Sequence, residues 1–174
     1  MNYFAAAALL TVGLIAGGCS AASGLTTGQE APDFSLQASD GKTYTLSQFR
    51  GKQAVVIAWF PKAFTSGCTK ECKFMKESQP VIGAYDVAYF AASVDEVKTN
   101  SEFAKSLELN FPILSDPTTK TAKDYGVFNG AVANRWTYYI SKEGKILLID
   151  KAVNPTDAGL DLKNFMERLG IPKK

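Results

Sequence analysis

"AVVIAWFPKAFTSGCTKEC", residues 54–72, is the stretch from which the fold class follows. Its first seven residues, 54–60, are all apolar, which predicts a strand that is covered on both faces. Thr65 or Ser66 can cap a helix that is predicted from Cys68 to about Ile82. A buried strand that leads through a short loop into a helix indicates an α/β fold.

The rest of the chain continues the alternation of strands and helices. Two alternating runs around "SDGK" predict an N-terminal β-hairpin, and residues 86–94 predict a second buried strand. "NFPILSDP" and "RWTYYISKEGKILLID" predict a short strand and a second hairpin. Helices are predicted at 98–109, within "TTKTAKDYGV" and from Thr156 to Gly170. The sequence therefore predicts one domain with a central mixed β-sheet flanked by helices on both faces.

Composition excludes several classes of function. The chain has 174 residues, enough for one domain with a real core, and its formal charge of +2 indicates no particular partner. No basic stripe is present, so we expect no nucleic-acid binding. The chain has no histidine, which removes the most common general base and the most common transition-metal ligand.

The N-terminus predicts export. "YFAAAALLTVGLIAGGC", residues 3–19, fits the apolar core of a secretory signal, which we place at residues 1–22. "AGGC" resembles a bacterial lipoprotein box, although Ala16 replaces the usual larger aliphatic residue and no basic residue precedes the apolar run. This resemblance implies that Cys19 is lipidated and anchors the chain to the membrane. Cleavage within "CSAAS" and a retained membrane anchor are the alternatives.

The predicted export places the folded part in the bacterial cell envelope or periplasm. Residues 23–28 are small and polar, which predicts a short tether. The folded domain is then expected at 29–174.

The two remaining cysteines are one helical turn apart. Cys68 is predicted in the first turn of its helix, where thiols have a lowered pKa and form the nucleophilic thiolate more readily. Gly67 lets another molecule approach the backbone closely. Cys72 lies on the same face, but at ideal helix spacing a disulfide with Cys68 requires the first turn to unwind. That geometry indicates a transient disulfide.

The spacing alone leaves other interpretations open. The cysteines can be small buried hydrophobic residues, or a structural disulfide, although a bond across four positions closes a very short loop and stabilises little. They can also be two metal ligands, which would need further ligands from acidic residues or a second chain. A reactive thiol with its partner is the fourth interpretation.

A family resemblance rests on the residues around this pair. "PKAFTSGC" has the pattern Pro-x-x-x-Thr-x-x-Cys, with Pro61, Thr65 and Cys68, and resembles the active-site motif of the peroxiredoxins, which are thioredoxin-fold thiol peroxidases. The likeness continues in "CTKE", "APDFSLQASDGKTYTLSQFRGK", "FPILSDPTTKTAKDYGV" and "RWTYYISKEGKI". It covers the chain from about Gln29 and is closest to the Q-type, bacterioferritin-comigratory branch. It implies a thioredoxin-like fold.

The resemblance implies a role for each motif residue. Cys68 would be the peroxidatic cysteine, which attacks hydrogen peroxide or an organic hydroperoxide and becomes a sulfenic acid. Arg135 would stabilise the thiolate and donate hydrogen bonds to the peroxide. Thr65 would hydrogen-bond the peroxide or the thiolate and can also cap the helix. Pro61 would shield the site from water and shape the loop.

The resemblance also implies how the cycle closes. Cys72 would be the resolving cysteine. It follows Cys68 by four positions, whereas the resolving cysteine of the Q-type branch usually follows by five. If Cys72 cannot reach the sulfur of Cys68, an external thiol would resolve the sulfenic acid. We expect Glu71 to give structural support only. A thioredoxin-like donor would reduce the disulfide. The reaction would require no metal, haem or flavin. The protein would be a monomer or weak dimer.

Two related functions, and a redox-inactive structural or signalling domain of the same fold, compete with a peroxidase. A thioredoxin-like disulfide oxidoreductase usually carries Cys-x-x-Cys and a proline at the start of the facing strand, whereas this chain has three residues between its cysteines and begins that strand with "RWT". A Sco-type copper chaperone uses Cys-x-x-x-Cys but needs a distant histidine ligand, which this chain lacks.

Overall fold

The computed structural model describes residues 24–174, and a seven-stranded mixed sheet forms its centre. The strands are Ser35–Ala38 (β1), Thr43–Thr45 (β2), Ala54–Trp59 (β3), Val87–Ser93 (β4), Ile113–Ser115 (β5), Thr137–Ile140 (β6) and Ile146–Asp150 (β7). They lie in the order β2-β1-β5-β4-β3-β6-β7. The predicted signal segment and Cys19 lie outside the described residues.

The helices differ from the predictions mainly at their ends. They are Ser66–Glu77 (α1), Gln79–Ile82 (α2), Val97–Ser106 (α3), Lys120–Asp124 (α4) and Ala158–Arg168 (α5), with a short 3-10 helix at Ser47–Phe49. No helix within residues 24–174 is long and apolar enough to cross a membrane.

The prediction of one helix up to Ile82 was wrong. Pro80 has no backbone N–H to bond the carbonyl of Lys76, so α1 ends at Glu77 and α2 starts anew after Ser78. At the other end, α1 starts at Ser66, two residues earlier than predicted. Cys68 is therefore the third residue of the helix and lies in its first turn.

The central strand β3 is buried on both faces, as its apolar sequence predicts. Val56 and Ala58 face a core that also contains side chains of α1, α3 and α5. Val55 and Ile57 face the opposite core, with Ala122 of α4 and residues of the N-terminal hairpin. The sheet therefore separates two hydrophobic cores, each covered by helices.

Strand directions bring three elements together at one edge of the sheet. β3 runs parallel to β4 and antiparallel to β6, so the end of β3 lies beside the start of β6. The N–H of Trp59 donates to the carbonyl of Trp136 at 2.9 Å, which joins the two strands there. α1 begins at the same edge because it follows β3 after a short loop. Residues just before β6 therefore lie close to the first turn of α1.

Helix α5 packs closely against the C-terminal end of α1 at Gly159. A β-carbon added to Gly159 would lie 2.6 Å from the β-carbon of Ser78 and 2.7 Å from the carbonyl oxygen of Phe74. Only a glycine permits this approach. The contact fixes the C-terminal end of α1 and leaves its first turn free of this restraint.

Gly159→Ala is expected to destabilise the protein by about 1–3 kcal/mol, because the added methyl group overpacks the contact. At an ordinary position in a helix the same change would stabilise by up to about 1 kcal/mol. Denaturant unfolding measures the difference, with Asn164→Ala at an exposed position of α5 as the control. Equal stability of Gly159→Ala and wild type would contradict the tight helix contact.

Candidate active site

The loop between β3 and α1 is held in a strained conformation. Phe64 has a φ of 62°, which is rare for a residue with a side chain. The N–H of Ala63 donates to the Asp95 carboxylate at 2.9 Å, and the ring of Phe64 contacts that of Phe103 with its edge. These contacts hold the backbone so that α1 starts directly after Thr65.

Cys68 and Cys72 are both buried on the inner face of α1, and neither is in a disulfide. They belong to the core that α1 forms with β3 and β6. Because α1 is continuous from Ser66 to Glu77, a bond between the two sulfurs requires its first turn to unwind. Because Cys68 has no exposed surface, a substrate reaches its sulfur only after the loop or a neighbouring side chain moves.

Arg135 lies two residues before β6 and reaches the first turn of α1. Its Nη2 donates to the sulfur of Cys68 at 3.4 Å, and its Nη1 forms an ion pair with Oε2 of Glu71. One planar guanidinium therefore bridges two neighbouring side chains on the inner face of the helix. The positive charge of Arg135 therefore lies within hydrogen-bonding distance of the Cys68 sulfur.

Glu71 is a buried carboxyl and part of the site. It is 1% exposed, and its Oε1 has no hydrogen-bond partner among residues 24–174. Burial raises the pKa of Glu71 to about 7, although the charge and hydrogen bond of Arg135 act in the opposite direction. Glu71 can give structural support through this ion pair, because it orients the arginine that contacts Cys68. A charged residue between two cysteines on the inner face of a helix is the sequence signal for this role.

Cys72 is held in its thiol form while α1 is folded. Burial raises the pKa of Cys72 well above its usual value, and the negative charges of Glu71 and Cys68 raise it further. A thiol is a poor nucleophile compared with its thiolate. Cys72 therefore becomes reactive when the helix opens and water reaches it.

Thr65 and Pro61 lie in the loop between β3 and α1. Thr65 is the N-cap residue of α1, but its side chain does not cap the helix. Its hydroxyl instead donates to the carbonyl of Lys62 at 2.9 Å, which closes the loop on itself. Pro61 lies two residues after the end of β3 and is half-buried. Hydrogen bonding of Thr65 to a peroxide stays a prediction.

Asp95 is a site residue that the sequence analysis missed. It follows β4 and accepts the N–H of Ala63, and the hydroxyl of Ser93 donates to the same carboxylate oxygen at 3.0 Å. Ser93 belongs to a buried network with Asn100 and Ser115. An aspartate just after a buried strand is the sequence signal, but only the sheet order places it beside the loop.

The arrangement supports nucleophilic chemistry at sulfur. Cys68 lies in the first turn of a helix and accepts a hydrogen bond from the positively charged guanidinium of Arg135. The helix N-terminus and the guanidinium can also stabilise negative charge on a leaving oxygen. Within residues 24–174, no three acidic or cysteine side chains converge in a manner suited to a metal ion.

Comparison with known proteins gives one family. The model of the AhpC/TSA family matches residues 27–149. The chloroplastic peroxiredoxin Q of Populus jackii is 36% identical over 125 residues, which are 70% of this chain and 58% of that protein. A putative peroxiredoxin, bcp, of Haemophilus influenzae is 33% identical over 133 residues, which are 72% of this chain and 85% of that protein. The chain thus spans less than two thirds of the chloroplastic relative.

Comparison with solved structures supports the fold. A mutant of PrxQ from Xylella fastidiosa matches with a TM-score of 0.79 at 20% identity, over 85% of this chain and 99% of that one. The predicted fold class, a thioredoxin-like α/β fold with a central mixed sheet flanked by helices and an N-terminal hairpin, is confirmed.

Proposed function

Because the chain belongs to the AhpC/TSA family of peroxiredoxins, we propose that it is a thiol-dependent peroxidase that reduces hydrogen peroxide, organic hydroperoxides or both. One observation carries the proposal: the guanidinium of Arg135 donates to the sulfur of Cys68 in the first turn of α1. A structural cysteine needs no such partner, whereas a peroxidatic thiolate does.

In the first half-reaction, the Cys68 thiolate attacks the terminal oxygen of the peroxide. The S–O bond forms as the O–O bond breaks, and the leaving oxygen takes up a proton and departs as an alcohol or water. Arg135 stabilises negative charge first on the sulfur and then on the leaving oxygen. Glu71 acts as a positioning residue because it holds the guanidinium in place.

In the second half-reaction, the first turn of α1 opens and Cys72 attacks the sulfur of the Cys68 sulfenic acid. The S–S bond forms, and the hydroxyl group leaves with the proton of the Cys72 thiol as water. A dithiol donor of the thioredoxin type then reduces the disulfide. Because Cys72 is a poorly ionised thiol in the folded helix, helix opening precedes this attack.

Cys72→Ser is expected to leave the first oxidation within about a factor of two of wild type, because Cys72 does not contact the peroxide in this scheme. Turnover with a protein dithiol should then slow, because an external thiol has to reach a buried sulfenic acid. Stopped-flow tryptophan fluorescence measures the first step and coupled oxidation of reduced thioredoxin measures turnover. Undiminished turnover in Cys72→Ser would show that Cys72 is not the resolving cysteine.

The rate of Cys68 oxidation is expected to fall about tenfold from pH 8 to pH 6, because Glu71, with a pKa of about 7, takes up a proton and releases its ion pair with Arg135. The folded carboxyl is ionised above pH 7 and neutral below it, so the loss occurs on the acidic side. Glu71→Gln should remove this decline. Glu77→Gln, at an exposed position of α1, is the matched control and should retain it. An unchanged profile in Glu71→Gln would exclude Glu71 as the titrating group.

Export and anchoring are part of the proposal and rest on residues 1–22 of the sequence alone. A lipid on Cys19 would tether the domain at the bacterial membrane, and the reductant would then have to work outside the cytoplasm. A monomer or weak dimer suffices for the reaction, since both cysteines lie on one helix.

A further inference from the structure

Exposed basic and aromatic side chains lie on the outer face of α1, opposite the two cysteines, and in the loop before α1. This basic face consists of Lys62, Phe64, Lys70, Lys73 and Phe74, all of them exposed. Phe64 and Phe74 are 56% and 38% exposed, which is high for phenylalanine. Exposed aromatic side chains are enriched at protein-binding surfaces.

The positive charge of this face is not neutralised locally. None of the ion pairs within residues 24–174 involves Lys62, Lys70 or Lys73. Lys76 is engaged with Glu108 at 3.5 Å and with the carbonyl of Leu107.

The two acidic residues of α1 reduce the positive charge of the basic face only slightly. Glu71 points inward and is neutralised by Arg135. Glu77, at the C-terminal end of the helix, is the one acidic side chain that α1 exposes. The face is therefore net positive around the first turn.

The location of the face limits what can bind there. A disulfide between Cys68 and Cys72 would enclose Lys70 in its loop, and Lys73 follows Cys72 directly. Gly159 of α5 packs against Phe74 and Ser78, so the part of α1 that is free to open lies before Phe74 and carries Lys70 and Lys73. A protein that reduces this disulfide therefore binds next to both lysines.

We propose that the basic face is the docking surface for the reductant, and that this reductant is a protein dithiol with an acidic surface around its active site. The proposal rests on the proposed peroxidase function. Opposite charges would accelerate the encounter, and the two aromatic rings would provide the apolar contact. The thiolate of the donor attacks the Cys68–Cys72 disulfide, and a mixed disulfide forms. The second donor thiol then releases both cysteines in reduced form and leaves the donor oxidised.

The test compares two reductants and two charge-reversed variants of the full chain. Lys70→Glu/Lys73→Glu reverses the face, and Lys52→Glu/Lys142→Glu makes the same charge change at exposed positions at the opposite edge of the sheet. The reductants are a purified acidic thioredoxin and dithiothreitol, which is small and uncharged. The rate of Cys68 oxidation by hydrogen peroxide is measured separately.

The expected result is a loss of about tenfold or more in kcat/KM for the acidic thioredoxin in Lys70→Glu/Lys73→Glu only, with a weaker loss at high salt. The rate with dithiothreitol should match wild type. An equal loss of rate with both reductants, or an unchanged kcat/KM with thioredoxin, would overturn the docking proposal. Absence of Cys68 oxidation in wild type would instead refute the peroxidase. Loss of binding to phosphatidylglycerol vesicles with unchanged thioredoxin kinetics would assign the face to a membrane and also overturn the proposal.

Discussion

Cys68→Ser is expected to abolish peroxide reduction, with a fall of at least about 10⁴-fold in the second-order rate constant. A serine hydroxyl is almost never ionised at neutral pH, so the guanidinium of Arg135 has no thiolate to stabilise. The change removes the nucleophile and leaves its surroundings intact: the helix, the ion pair between Glu71 and Arg135 and the loop at Phe64. Consumption of peroxide followed over time gives the rate.

Two controls support this experiment. Serine has nearly the shape of cysteine, so Cys68→Ser should unfold at nearly the same denaturant concentration as wild type. Cys72→Ser, the matched change one turn further along the same face, should keep the first oxidation. Peroxide consumption by folded Cys68→Ser at the wild-type rate would mean that another group carries the chemistry.

Arg135→Met is expected to slow the oxidation of Cys68 by about 10²–10³-fold, the usual cost of one fixed hydrogen-bond donor at a reacting centre. It should also lower the free energy of unfolding by about 1–3 kcal/mol, because Glu71 is left buried without its partner. The loss is moderate because the carboxyl of Glu71, whose pKa is already about 7, takes up a proton when the arginine is absent.

A second variant separates the two effects of Arg135. Arg135→Met/Glu71→Gln removes the buried charge as well and should recover much of the lost stability. The rate should stay low, because the donor to the Cys68 sulfur is still missing. Stopped-flow oxidation and denaturant unfolding are measured on the same samples. Recovery of the rate in the double variant would mean that Arg135 acts only through folding.

Much of the fold could be predicted from sequence because the strands carry strong local signals. The apolar run of β3 predicts a strand buried on both faces, and the "SDGK" turn predicts the first hairpin. Ends of helices were less predictable. The break before α2 depends on where a single proline falls, and the last helix starts at Ala158, two residues after Thr156, without a side-chain cap.

The candidate site was predictable only where residues are close in sequence. Cys68 and Cys72 lie within one segment, and their helix follows from that segment. Contacts of Arg135 with Cys68 and Glu71 join residues 67 and 64 positions apart, and they depend on β6 running antiparallel to β3. The role of Arg135 was predicted from the family resemblance alone.

The roles of Glu71 and Asp95 needed the structure. Burial decides the pKa of Glu71, and the neighbouring strand brings Asp95 to the loop. Neither property can be read from the local sequence, because both depend on which elements of the fold pack together.

The most direct test is the intact mass of the reduced full chain within seconds of adding an equimolar amount of hydrogen peroxide. Cys19→Ser is used as the background, so that Cys68 and Cys72 are the only thiols. The account predicts loss of two hydrogens in this protein, gain of one oxygen when Cys72→Ser is added, and no change when Cys68→Ser is added. Gain of an oxygen without disulfide formation in the background protein would contradict the role of Cys72. An unchanged mass in all three proteins would contradict the peroxidase itself.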